Sequence, residues 1–175
     1  RVGPDRVFDD KPSRVTWLYT KTIHISHNLD NTLQAETYQD IVRGFTGQTS
    51  HAQPVFARIM PENEEKANVL FDTLPKRDIA LCVKGTFPLK TWPKEYFVKV
   101  VDELNKRYNA SFFIVGAPND KSYADEVIAD MPVEVKNFCG QTNLVDLAAV
   151  LKRSDLFVTV DTGATHIAAT TGIPM

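Results

Sequence analysis

Residues 79–116 read IALCVKGTFPLKTWPKEYFVKVVDELNKRYNASFFIVG, and the fold is decided here. Ile79–Val83 is a short apolar run bounded by polar residues, the pattern of a buried strand. Pro93 opens a helix in which Phe97, Val100, Val101, Leu104 and Tyr108 recur at i, i+3, i+4, i+7 and i+11, one apolar face. Ser111–Val115 is a second apolar run, closed by Gly116. Strand, amphipathic helix and strand in succession predict a right-handed βαβ crossover with parallel strands.

The same alternation continues on both sides. Upstream, Pro61 opens a helix with Glu62, Glu64 and Glu65 at its positive end; Ala67, Leu70, Phe71 and Leu74 form its stripe, and Pro75 stops it. Downstream, a helix is expected over Asn119–Met131, ended by Pro132, and Val133–Val135 starts a weaker strand. Asn143 and Asp146 have the spacing of a capping box, with Leu144, Leu147, Ala148 and Leu151 facing inward and Lys152 and Arg153 at the helix end. Leu156–Val160 reads as a fourth strand, and Thr162 to Thr171 as a short last helix closed by Gly172. Residues 62–175 are therefore expected to form an α/β domain, a Rossmann-like parallel sheet with helices on both faces.

Residues 1–53 are less regular. Val15, Trp17 and Tyr19 alternate with polar neighbours and predict a strand; Ile23 and Ile25 predict a short extended piece. A helix is expected from Asp30 to Arg43, with Tyr38, Ile41, Val42 and Phe45 at helical spacing, broken by Gly44, Gly47 and Ser50. Pro54 and Pro61 bracket a connector over 54–61.

Composition sets the outer limits. The 175 residues carry 20 Lys+Arg against 22 Asp+Glu, a net charge of −2, which removes the basic footprint of a nucleic-acid binder. With 43% hydrophobic and 24% charged residues, the chain can bury a core. No apolar run approaches the ~20 residues that cross a bilayer, so no membrane-spanning helix is expected, nor is a signal peptide. Cys82 and Cys139 sit among apolar neighbours and read as reduced core thiols of a cytoplasmic protein. The chain opens on Arg1 rather than Met and stops at Met175 just past Gly172. It is expected to be cut at both ends, with a strand of the sheet missing.

Ligands of open α/β sheets bind beyond the carboxyl ends of the strands. All four tips are chemically marked: Lys84-Gly85-Thr86, Gly116-Ala117-Pro118-Asn119-Asp120, Cys139-Gly140-Gln141-Thr142, and Asp161-Thr162-Gly163-Ala164-Thr165-His166. Thr162 could cap the last helix and leave N–H groups near Gly163 for a phosphate, with His166 a further donor; a plain cap and a core histidine fit the same residues. Lys90 would be the larger electrostatic partner of a diphosphate, or else a solvated loop cation. A Gly-x-Gly-x-x-Gly fingerprint is absent, as is a Walker-type loop, which counts against NAD, FAD and P-loop chemistry. His24-x-x-His27 is a weak metal-like pair without a third ligand.

The order Lys90-Thr91-Trp92-Pro93, Val115-Gly116, Cys139-Gly140-Gln141-Thr142-Asn143-Leu144, Asp161-Thr162-Gly163-Ala164-Thr165-His166 resembles the C-terminal half of glycosyltransferase family 9, the ADP-heptose:lipopolysaccharide heptosyltransferases. The resemblance implies a GT-B architecture. Residues 1–53 would be the tail of an N-terminal acceptor domain, 54–61 a connector, and 62–175 the nucleotide-sugar-binding domain, truncated at its end. By the same resemblance Thr86 and Lys90 contact the diphosphate, and Thr162, Gly163 and His166 line it. Asp161 lies near phosphate and donor sugar. Asp120 stands where the family has a ribose-contacting acid, usually Glu, and the Cys139–Gly140 backbone flanks adenine.

The implied reaction is inverting transfer of heptose from ADP-heptose to the lipopolysaccharide inner core, with leaving-group stabilisation by Lys90 and His166. No cofactor is required, although a divalent cation could assist the diphosphate, and membrane association would be peripheral, at the inner face of the bacterial inner membrane. The family's general base lies near the start of the N-terminal domain, and no residue here matches it. Loss of a base removes roughly 10²–10⁴-fold in rate, so this chain alone is expected to bind ADP-sugar weakly and transfer nothing. Alternatives are a non-catalytic ADP-binding module, a transferase using another nucleotide sugar, and an NAD-dependent oxidoreductase.

Overall fold

The structure, a computed structural model, describes residues 1–7, 10–26, 33–48, 58–74 and 77–175. It divides into two compact units, Arg1–Pro54 and Val55–Met175. In the first unit, β1 (Val2–Pro4) pairs in parallel with β4 (Lys21–Ile23), and β2 (Arg6–Val7) pairs antiparallel with β3 (Lys11–Pro12). Ile23 and Ile25 are both buried, as an extended piece with apolar alternation requires. The strand expected over Val15–Tyr19 is instead a 3-10 turn at Thr16–Leu18. Leu18 and Tyr19 donate their N–H groups to the carbonyls of Val15 and Thr16 at 3.0 Å each, and Trp17 is 78% exposed. Among the described residues no strand pairs with this segment, and these two bonds satisfy part of its backbone locally.

The helix α1 (Gln34–Thr46) starts later than expected and runs through Gly44 instead of breaking there. A Cβ on Gly44 would lie 2.3 Å from Ile23 Cγ2, so glycine is what lets α1 approach β4. Gly47, at φ 72°, ends the helix. Of the expected apolar stripe, Tyr38, Val42 and Phe45 are exposed. Asp30, Ser50, Gln53, Pro54 and Pro75, as well as His27 of the metal-like pair, lie outside the described residues; His24 pairs with Asp5 at 2.7 Å.

In the second unit α2 (Pro61–Phe71) begins on its proline and buries Ala67 and Phe71. Four parallel strands follow, β5 (Asp78–Cys82), β6 (Ser111–Ile114), β7 (Val135–Asn137) and β8 (Leu156–Thr159), in the spatial order β7-β6-β5-β8. Ile79 is opposite Phe112 on one side and Leu156 on the other. The connecting helices are α3 (Lys94–Tyr108), α4 (Lys121–Ile128), α5 (Leu144–Arg153) and α6 (Gly163–Ala169). α4 is preceded by a 3-10 turn at Pro118–Asp120 and stops short of Met131, β7 begins where the expected strand ends, and α6 stops two residues before Thr171.

Strand alternation divides the core in two. Ala80, Cys82, Phe113 and Phe157 face Phe71 of α2, Leu151 of α5 and Ala168 of α6. Leu81, Phe112 and Ile114 face Phe97 and Val101 of α3 and Val127 of α4. Both faces of the sheet are thus covered, as a parallel sheet demands. Asn143 caps α5, its Oδ1 accepting from Val145 and Asp146 N–H at 2.9 Å each. Asp146, almost fully buried, accepts from the Asn63 amide (2.7 Å) and the Lys66 ammonium (3.0 Å), tying α5 to α2. Burial pushes its carboxyl up, but these partners and the Asn143 N–H more than offset that and hold it below the usual range. Among the described residues no helix is long and apolar enough to cross a membrane.

The amino-terminal edge of the sheet carries a repulsive pair. Asp78 opens β5 and Asp155 directly precedes β8; Asp78 N–H bonds the Asp155 carboxylate at 2.9 Å, while the buried Oδ1 of Asp78 has no hydrogen-bond partner among the described residues. Burial first, and the Asp155 charge second, push Asp78 up to about 6 from an ordinary 3.8, against a lowering by Arg153. A raised carboxyl costs stability, absent below pH 3.8 and complete above about pH 6. This displacement is worth about 3 kcal/mol at full value, and solvent screening of this half-buried group cuts it to about 1. Asp78→Asn is therefore expected to raise stability by about 1 kcal/mol at pH 7–8, with the gain fading toward pH 4 in urea titrations. A pH-independent change would contradict this origin.

Candidate functional site

The strands β5, β6 and β7 are laid down in one direction, and β8 then returns to the other side of β5. Successive crossovers therefore leave in opposite directions at the β5–β8 boundary, which opens a crevice beyond the strand ends. The loop after β5 forms one wall. It doubles back on itself: Gly85 N–H donates to Thr91 Oγ1 at 3.1 Å, and a 3-10 turn spans Pro88–Lys90. A Cβ on Gly85 would lie 2.5 Å from the Lys90 carbonyl oxygen, so only glycine permits this close fold. Trp92 is clamped by stacking on Tyr96 and an edge contact with Phe97, at 5.2 and 5.1 Å between centroids.

Across the crevice stands the loop after β8. Lys90 Nζ meets Asp161 Oδ2 at 2.7 Å, beside a cavity of about 770 Å³ lined by Lys90, Thr91, Trp92, Val160 and Asp161. The Lys90 hydrogen bond and charge hold the Asp161 carboxyl below its usual range, and His166 adds to this. His166 is exposed, so it is not a core histidine. Thr162 takes the N-cap position of α6, but its side chain makes no capping bond, contrary to expectation. Thr165 does the anchoring instead, donating to the Val160 carbonyl at 2.7 Å and lying 3.1 Å from Thr159 Oγ1. In front of Gly163 there is open space: an added Cβ would meet nothing within 4 Å.

A second cavity, about 400 Å³, lies on the other side of Trp92, lined by Lys84, Gly85, Thr86, Phe87, Trp92 and Tyr123. Here Lys84 Nζ meets Asp120 Oδ1 at 3.0 Å, and Asp120 Oδ2 accepts the Ala117 N–H at 3.0 Å. Cys139 and Gly140 adjoin Asp120 through Gly116, whose carbonyl accepts the Gly140 N–H at 2.9 Å. Both thiols are buried and not in a disulfide, and that of Cys82 donates to the Lys84 carbonyl at 3.9 Å. Burial, assisted by the Asp120 charge, pushes Cys139 up to about 12 and Cys82 to about 11, so neither is a nucleophile at neutral pH.

The expected site residues thus fall into two adjoining groups. Lys90, Asp161, Thr162, Gly163 and His166 border the β5–β8 crevice, while Thr86, Asp120, Cys139 and Gly140 border the β5–β6 side. Lys84, Thr91 and Thr165 stand in the marked strand tips and motifs, but the sequence assigns them no role of their own. A cation directly after a central strand was the available signal for Lys84.

This arrangement defines a class: a parallel α/β domain with a cation-bearing crevice at its strand-order switch point. The chain belongs to glycosyltransferase family 9 (heptosyltransferase), whose sequence profile matches residues 7–175. It is 30% identical over 103 residues to lipooligosaccharide heptosyltransferase 2 of Haemophilus influenzae, covering 55% of this chain and 29% of that protein. Over 82 residues it is 27% identical to the Campylobacter jejuni protein of the same name, covering 46% of this chain and 26% of the relative. Its fold is that of a family 9 glycosyl transferase from Veillonella parvula (TM-score 0.79, 21% identity), covering 91% of this chain and 47% of the other. It also matches E. coli heptosyltransferase WaaC with ADP (TM-score 0.64, 20% identity), covering 95% and 50%. The architecture is that of GT-B glycosyltransferases, and the chain spans about half the length of these solved structures.

Proposed function

We propose that the β5–β8 crevice holds the diphosphate of ADP-heptose and that this chain is the donor-binding part of a heptosyltransferase acting on the lipopolysaccharide inner core. The observation that carries this reading is the Lys90–Asp161 pair at the switch point, beside a cavity of about 770 Å³. The names of the relatives support the substrates: WaaC is solved with ADP and with ADP-2-deoxy-2-fluoro heptose, and the sequence relatives are lipooligosaccharide heptosyltransferases.

In this reading the acceptor hydroxyl displaces diphosphate from the anomeric carbon with inversion. The negative charge that grows on the leaving oxygen is met by Lys90, which exchanges Asp161 for phosphate, and by His166. Gly163 needs no glycine for packing, and its open front leaves room for phosphate oxygens close to the backbone. Thr86 supplies a hydroxyl, Asp120 faces the ribose, and the Cys139–Gly140 backbone flanks the adenine. A divalent cation assisting the diphosphate would be held chiefly by phosphate oxygens and water, with Asp161 the carboxylate within reach once Lys90 turns to phosphate. The resemblance puts the general base near the start of the N-terminal domain, and no residue of this chain matches it. The isolated chain therefore binds donor without transferring it, and the reaction takes place at the cytoplasmic face of the inner membrane.

Calorimetric titration with ADP, UDP, GDP and NAD tests the reading. ADP is expected to bind at least tenfold tighter than the others. Tighter NAD binding would overturn the assignment, a UDP or GDP preference would change the donor, and heptosyl transfer by the 175-residue chain would contradict the assignment of the base elsewhere.

A further inference from the structure

Two lysines on one doubled-back loop face two aspartates on flanking loops, yet the two pairs are built differently. The Lys90–Asp161 pair is open, with side chains 43% and 65% exposed, and among the described residues the Asp161 carboxylate has no hydrogen bond besides the Lys90 contact. The Lys84–Asp120 pair is more enclosed, at 37% and 24%, and Asp120 is pinned from its other oxygen by the Ala117 N–H. Lys84 also lies over the Tyr123 ring at 6.0 Å, a second hold on its position. An incoming dianion therefore draws away Lys90 and leaves Lys84 where it is.

We infer that Lys84 is an electrostatic positioning residue: it stays on Asp120, cancels that carboxylate's charge beside the phosphate path, and so keeps the crevice open to a diphosphate. The reason is charge balance. Four residues, two Lys and two Asp, sum to zero around the site, and Lys90 is the cation that leaves its partner. Without Lys84, Asp120 would face the arriving diphosphate as a bare, partly shielded carboxylate, where repulsion is far less screened than at the surface. Lys84 needs no contact with the ligand for this role. The inference rests on the nucleotide reading above.

The two roles open to Lys84, neutralising Asp120 or gripping phosphate, give opposite double-mutant results. Binding of ADP and of inorganic diphosphate to the 175-residue chain is measured by calorimetry for Lys84→Met, Asp120→Asn and the double variant. Lys84→Met is expected to weaken inorganic diphosphate about tenfold, equivalent to about 1.4 kcal/mol. Adding Asp120→Asn should restore inorganic diphosphate binding to within about twofold, because the uncompensated charge is gone. Inorganic diphosphate has no ribose, so loss of a ribose contact does not enter this readout. A double variant as weak as Lys84→Met alone would overturn the inference and assign Lys84 a direct phosphate contact, and an unchanged Lys84→Met would overturn it as well. If wild-type protein binds neither ADP nor diphosphate, the nucleotide reading itself falls. Matching unfolding midpoints for the three variants separate these outcomes from misfolding.

Discussion

Lys90→Ala is expected to weaken ADP about 30-fold while leaving the fold in place. A unit cation at about 4 Å from phosphate is worth about 4 kcal/mol at an effective dielectric near 20, and a side chain 43% exposed keeps roughly half of it. About 2 kcal/mol is a factor of about 30 in affinity. Lys90→Arg should recover most of the loss, since the charge is kept although its placement shifts. The unfolding midpoint should move by no more than about 1–2 °C, because exposed ion pairs contribute little to stability. Calorimetry on the three proteins gives the comparison, and a loss below about threefold for Lys90→Ala would remove the diphosphate from this crevice.

Phe113→Ala is the change expected to harm the fold most. Phe113 is fully buried in a central strand, edge-on to Phe71 of α2 at 5.6 Å and tilted against Phe138 at 5.2 Å. Its neighbours belong to the sheet and to a helix packed on it, so the space left behind cannot collapse. Phe→Ala changes in such positions cost about 3–5 kcal/mol, against about 5–15 for a whole domain. The urea midpoint of the second unit should fall by about a third to a half, and ADP binding should weaken in step with the unfolded fraction at 37 °C. A cost under 1 kcal/mol would mean that the two faces of the sheet are not packed as described.

Much of this fold is legible in the sequence because parallel strands buried on both faces are continuous apolar runs. Ile79–Val83, Ser111–Val115 and Leu156–Val160 were each found to within a residue of β5, β6 and β8. Boundaries set by tertiary contact were not legible. Gly44 looks like a helix breaker until Ile23 is seen pressing on it, and Val15–Tyr19 alternates like a strand but pairs with no strand among the described residues. In the site, residue types at the strand ends pointed to Lys90 and Asp161, since chemistry and position coincide there. The pairing of Lys84 with Asp120 could not be read, because it depends on which loops are neighbours in space. Capping rules are local and point to Thr162, whereas the bond that Thr165 makes back to the end of β8 is tertiary and leaves no sequence signal.

The order of the strands also sets when the crevice can exist during assembly. Ile79 pairs with Phe112, 33 positions away, and with Leu156, 77 positions away. Each doubling of a closing loop adds about 0.6 kcal/mol of entropy cost, so the β8 edge carries the heavier closure penalty. One wall of the crevice hangs from that edge. A folding intermediate lacking β8 would contain much of the core and only the β5–β6 half of the site. Ligand at about 100 times its dissociation constant would then stabilise only the completed domain, by about 2.7 kcal/mol. A nucleotide would serve as a clasp on the last strand, and a substitution far from every phosphate could abolish binding by keeping that strand from docking.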